Sequence, residues 1–217
     1  MWEIIKAGGP VMWPLLLLSV ASIAILIERI WALQPSKIVP PDLVGQTRAL
    51  VRSGRMGPDE IKALTQNSPL GQVLAAGLLN QHRGRTVLKE ALEDTGRHVA
   101  HELERYLNVL GTIASVAPFL GLLGTVLGII SAFSAITHSG VGDPKVLSGG
   151  IGQALVSTAA GLVVAIPSLL GYRFLRAHVD HLVIAMEKEA RKLLTTLDGR
   201  GELRREAARG GAGGTPS

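Results

Sequence analysis

Residues 106–142 read YLNVLGTIASVAPFLGLLGTVLGIISAFSAITHSGVG and contain no Asp, Glu, Lys or Arg. Along one side of a helix through this stretch, at spacings of 3 and 4, stand Gly111, Ala114, Pro118, Gly121, Thr125, Gly128, Ala132 and Ala135. The stripe carries no large side chain and a single hydroxyl at its centre. In a bilayer, small residues in that pattern let helices approach closely, or they face a narrow lumen. The stretch therefore predicts a membrane helix built to pack against something specific.

Two more segments lack charge over a bilayer's length, Ala7 to Ile27 (21 residues) and Val146 to Tyr172 (27 residues). A spanning helix takes about 20 residues, so three spans are expected. The central 37-residue stretch exceeds the hydrocarbon and should tilt or project beyond it. A secretory signal is a poor account of the first segment, because Glu3 accompanies Lys6 and no small-residue cleavage site follows promptly.

Of the 22 Lys and Arg, 11 lie between Arg29 and Arg105 and 9 from Arg173 onward, leaving Lys6 and Lys145 on the other side. The positive-inside rule then places the N-terminus and the 138–147 loop outside and the two basic regions in the cytoplasm. This asymmetry accounts for the net charge of +5. It does not indicate nucleic acid, since no DNA- or RNA-binding motif accompanies it. With no cysteine, disulfides and thiolate metal sites are excluded. Trp2, Trp13 and Trp31 stand near the ends of the first span, where amphipathic rings favour the interface.

The first span is bulky on all sides, from the Leu15–Leu18 run through Val20, Ile23, Ile25, Leu26 and Ile27, as lipid contact demands. Between the first and second spans, prolines and small polar residues mark short helices. Asp42 caps one that Ser53-Gly54 closes, Pro58 opens another, and Ser68-Pro69 starts a third with Leu70, Val73, Leu74, Gly77 and Leu78 on one face. From Gly84 onward a helical pattern runs without a breaker into the second span, which predicts one helix from about 85 to 138. The third span likewise continues through Leu175, Val179, Leu182, Met186 and Leu193. Pro118 and Pro167 lie inside spans as kinks or hinges that neighbouring helices tolerate.

The third span repeats the small stripe as Ala154, Thr158, Gly161, Ala165 and Ser168, with Gln153 and Ser157 on a neighbouring face. Two matched stripes suggest an inner ring with the bulky first span outside it. No ionisable Asp, Glu, Lys or Arg lies within the hydrocarbon part of any span. A proton relay normally needs one there, so a partner would have to supply it.

His98/His101 and His178/His181 each share a helix face, and a zinc or nickel site is conceivable there. Exposed interfacial histidines are the commoner outcome, and no metal or cofactor is expected. His138 would stand at the outer mouth. The interleaved charges from Lys89 to Arg105 fit an ion-pair face, with a cation vestibule as the alternative. No nucleophile triad or phosphate-cradling loop is present, so an enzyme is not expected.

Ala117-Pro118-Phe119-Leu120-Gly121-Leu122-Leu123-Gly124-Thr125-Val126-Leu127-Gly128-Ile129 resembles the second-span signature of the MotA/TolQ/ExbB proton-channel family. Gly150-Ile151-Gly152-Gln153-Ala154-Leu155-Val156-Ser157-Thr158-Ala159-Ala160-Gly161-Leu162, ending in Ala165-Ile166-Pro167, is similar to its third-span signature. The segment from Ala7-Gly8-Gly9-Pro10 to Glu28-Arg29 is similar to the first span of ExbB and TolQ members. The resemblance covers residues 1 to about 195.

It implies an all-α membrane protein of three spans that forms a homopentamer in the bacterial inner membrane, with no enzymatic activity. Helices two and three would be long and extend into the cytoplasm. The organisation would be a periplasmic N-terminus (1–9), a first span (10–33), a cytoplasmic helical region (34–105), a second span (106–138), a periplasmic loop (139–147), a third span (148–175), a cytoplasmic extension (176–198) and a disordered tail (199–217). An ExbD- or TolR-like single-span partner would supply an intramembrane aspartate, a TonB-like protein is a further partner, and lipid surrounds the ring. The implied proton path uses Thr125, Thr158, Gln153 and Ser157. Gly121, Gly128, Ala154, Gly161, Pro118 and Pro167 would pack the pore. ExbB-like energising of outer-membrane transport stands ahead of a TolQ-like envelope role. A MotA-like stator fits less well, because that branch has four spans.

One departure stands out. Members usually carry glutamate where this chain has Gln153, which keeps the hydrogen bonding but cannot titrate. That substitution keeps open a non-conducting membrane scaffold as the rival reading.

Overall fold

The structure, a computed structural model, describes residues 6–53, 57–139 and 144–211. Its regular elements are helices: α1 Met12–Ala32, α2 Pro35–Ile38, α3 Leu43–Ser53, α4 Pro58–Asn67, α5 Pro69–Leu79, α6 Arg85–Leu103, α7 Leu107–Ser139 and α8 Pro144–Gly211. Met12–Ala32, Leu107–Ser134 and Ser148–Thr196 are long and apolar enough to cross a membrane. The chain is therefore an all-helical membrane protein with three candidate spans. Trp2, the expected loop residues 140–143, the Gly54 stop and residues 212–217 lie outside the described residues.

The helices divide into two units, one joining the chain through Trp31 to Arg105–Ala177, the other joining Ala32–Glu104 to α8 from His178 onward. In the first, Val11, Met12 and Leu15 are buried against Ala117 of α7 and Ala165 of α8. The opposite side of α1 leaves Leu17, Val20, Ile23 and Ile27 more than half exposed, an apolar face suited to lipid. Pro118 and Pro167 both lie inside continuous helix.

In the second unit, the hydroxyl of Ser68 caps α5 by accepting from the Gly71 amide at 3.1 Å, with Pro69 in the first turn where its missing N–H costs nothing. Leu70, Val73, Leu74 and Leu78 of α5 are buried, as their spacing predicts. Leu88, Leu92, Val99 and Leu103 of α6 and Val179, Leu182, Met186 and Leu193 of α8 are buried as well.

Two boundaries differ from the sequence reading. The expected single helix from 85 to 138 is interrupted: α6 ends at Leu103 and α7 begins at Leu107. Tyr106 has φ 65, the left-handed region that a bulky residue rarely adopts and that ends a helix. Its ring lies under two guanidinium groups, Arg105 Cζ at 4.7 Å and Arg29 Cζ at 5.3 Å from the centroid. No Gly or Pro marks the break in the sequence. At the other end α8 continues to Gly211, past the expected limit of 198. Residues 202–209, rich in Glu, Leu, Arg and Ala, are good helix formers despite their charge.

Candidate pore and helix-packing site

The small stripes of α7 and α8 face each other. A Cβ added to Gly121 would lie 3.0 Å from the Ser157 carbonyl oxygen and 3.3 Å from the Gly161 Cα. One added to Gly161 would lie 2.7 Å from the Ala117 carbonyl oxygen. Gly128 is similarly close, 2.8 Å from Gly150 O and 2.9 Å from Ala154 N. The two backbones are in direct contact, with buried Ala154 and Ala117 filling the seam. Of the two roles that small residues can play, the structure assigns these positions to close approach of helices within one chain.

The hydroxyls sit around this seam. Thr158 Oγ1 donates across it to the Gly121 carbonyl at 3.3 Å. Thr125, half-buried, turns its hydroxyl back onto the Leu122 carbonyl of its own helix at 2.6 Å. Pro118 is half-buried, whereas Pro167 is exposed on α8.

Gln153 and Ser157 point elsewhere. Ser157 is fully buried, and its Oγ lies 2.8 Å from the Gly8 carbonyl and 2.8 Å from the Gln153 carbonyl. A Cβ on Gly124 would overlap the Ser157 side chain, so α7 closes over it. Gly9 has φ +71, and a Cβ there would overlap the Gln153 amide nitrogen. Both side chains thus meet the segment that leads into α1. Only Gly fits at Gly9, because its conformation and the nearby amide exclude a side chain.

Sequence reasoning missed a second α1–α8 contact, the Ser22–Ser168 hydroxyl pair at 2.6 Å, buried at both ends. Ser22, one of two serines with Ser19 in an otherwise apolar segment, was the available signal. His178 Nε2 lies 2.9 Å from the Leu33 carbonyl, and His98 Nε2 lies 3.5 Å from Glu102. No group of three or more potential metal ligands comes together among the described residues. The His138 side chain lies outside them.

Three apolar helices long enough to cross a membrane, two of them joined by a small-residue seam, define an integral membrane protein. Residues 65–188 match the MotA/TolQ/ExbB proton channel family, and the chain belongs to that family. It is similar to the putative biopolymer transport protein ExbB-like 3 of Synechocystis sp., 36% identical over 168 residues, covering 76% of this chain and 79% of the relative. The biopolymer transport protein exbB1 of Vibrio cholerae is 30% identical over 185 residues, covering 82% and 80% respectively. The biopolymer transport protein ExbB of Aquifex aeolicus is 49% identical over a shorter 86 residues, or 40% of this chain and 58% of that one. The ExbB branch is the one these names share, and the chain is a component of a biopolymer-transport proton channel.

Proposed function

We propose that this chain is the ring subunit of a proton-motive-force-driven motor in the bacterial inner membrane, its N-terminus periplasmic and its C-terminus cytoplasmic. Five copies surround single transmembrane helices of an ExbD- or TolR-like partner, and the motor energises outer-membrane transport through a TonB-like protein. The observation that carries this reading is the acid-free wall. α7 and the spanning part of α8 hold hydroxyls at Thr125 and Thr158 but no carboxylate, so the titrating group belongs to a helix from another chain. The hydroxyls would hydrogen-bond that carboxylate or order a water beside it. One charge crossing 100 mV releases about 2.3 kcal/mol, enough to bias a mechanical step by a factor of about 50. The test is proton flux in vesicles holding this chain with its partner. Flux should vanish when the partner's intramembrane Asp is replaced by Asn; equal flux with and without that acid would overturn the mechanism.

A second reading, a non-conducting membrane scaffold, is favoured by one observation. The Gln153 amide cannot titrate and is occupied in packing against Gly9. Wild-type vesicles that carry the partner yet pass no protons would select it.

A further inference from the structure

We propose that Arg105, propped on the ring of Tyr106, forms a binding site for the phosphate of an anionic phospholipid at the charged end of α7. The inference rests on the membrane-spanning orientation proposed above.

The pair stands where charged chain gives way to 106–142, which carries no Asp, Glu, Lys or Arg, so it lies at headgroup depth. Two arginines flank the Tyr106 ring, and their charges are differently engaged. Arg29 is only 8% exposed, and its Nε and Nη2 donate to the Glu28 carboxylate at 2.5 and 2.7 Å. Arg105 is exposed and has no acid within ion-pair distance among the described residues. Arg105 acts on the Glu28 carboxylate only through its charge, and that carboxylate is already held by Arg29. The trio of Glu28, Arg29 and Arg105 therefore keeps one positive charge, located on Arg105.

Geometry makes that charge selective. A guanidinium whose Cζ is held 4.7 Å over an aromatic ring loses rotational freedom, and its planar N–H fork matches phosphate bidentately. The left-handed backbone at Tyr106 costs about 1–2 kcal/mol for a residue with a side chain, and the ring at that turn lies beside Arg29. Apolar surface for acyl chains follows the site along α7, where Tyr106 is 41% and Val109 48% exposed. A free phosphate would use only the guanidinium, whereas a phospholipid uses both. The chemistry points to the lipid.

The experiment reconstitutes the full chain in nanodiscs of phosphatidylcholine with phosphatidylglycerol and reads lipid retained after detergent extraction by native mass spectrometry. Wild type should keep phosphatidylglycerol preferentially. Arg105→Gln should lower that retention about ten-fold, as expected for loss of hydrogen bonds to a charged group. Arg105→Lys should fall between, because an ammonium keeps the charge without the planar fork. Arg173→Gln, at the charged end of the third uncharged stretch, should match wild type. Three results would overturn the site: retention unchanged in Arg105→Gln, equal loss in Arg173→Gln, or displacement of the lipid by millimolar inorganic phosphate. Should Arg105→Gln not fold by circular dichroism, the Lys variant still decides. Lipid retention is read without proton flux, so failure here is separable from failure of the motor reading.

Discussion

The Ser157 hydroxyl and the Gly8 carbonyl oxygen lie 2.8 Å apart in a site from which solvent is fully excluded. The contact ties the chain entering α1 to the first quarter of α8, 149 residues away in sequence. Ser157→Ala should leave the Gly8 carbonyl without this donor and destabilise the protein by about 1–2 kcal/mol. The chain has no cysteine, so one introduced at Ala7 is a clean probe. Its thiol should react several-fold faster in the Ser157→Ala background; unchanged labelling would refute the tether.

The α7–α8 seam predicts a contrast between glycines. Gly161→Ala forces a methyl to 2.7 Å from the Ala117 carbonyl oxygen and should cost about 1–3 kcal/mol. Gly152→Ala and Gly96→Ala lie in helices with nothing within 4 Å of the added carbon. Those two should be neutral or stabilise by about 0.5–1 kcal/mol through helix propensity. Thermal unfolding in a single detergent distinguishes the sets, and equal effects would refute the close backbone contact.

Ser22 and Ser168 form the other buried link between α1 and α8. Ser168 Oγ also donates to the Val164 carbonyl at 2.7 Å, so Ser22→Ala leaves the remaining hydroxyl a partner. A double-mutant cycle should therefore give a modest coupling of about 0.6 kcal/mol, the average for such pairs in membranes. Additive single effects would show that the pair contributes shape and not a bond.

Thr158 crosses the seam to the Gly121 carbonyl at 3.3 Å, a long bond that leaves the hydroxyl able to turn toward another acceptor. In vesicles with the partner, Thr158→Ser should retain proton flux and Thr158→Val should lower it at least ten-fold, the scale of a lost hydrogen bond to a charged group. Equal flux from Ser and Val variants would remove Thr158 from the path.

Much of this was legible in the residues, for reasons that differ from site to site. Gly121, Gly128, Ala154 and Gly161 were readable because close approach requires small side chains at helical spacing. Which neighbour they approach was not readable, since a lumen and a partner helix make the same demand. Helical spacing puts Gln153 and Ser157 on a face neighbouring the stripe, and the family resemblance joins them to the threonines. Their contacts with Gly9 and Gly8 depend on where a remote segment docks, which periodicity in α8 cannot reveal. The break at Tyr106 had no Gly or Pro to announce it. Its left-handed turn is accompanied by two arginines stacked on the ring, one of them 77 positions earlier in the chain.

The seam also bears on how the proposed motor would move. Where Gly121 meets Gly161 there are no flexible side chains to absorb sliding, only backbone against backbone. Displacing one helix along the other would drive backbone atoms together at Gly121, Gly128 and Gly161. The spanning parts of α7 and α8 therefore act as a single stave. In the proposed motor a stroke would swing the stave whole, like one board of a barrel, with the play lying at its outer faces.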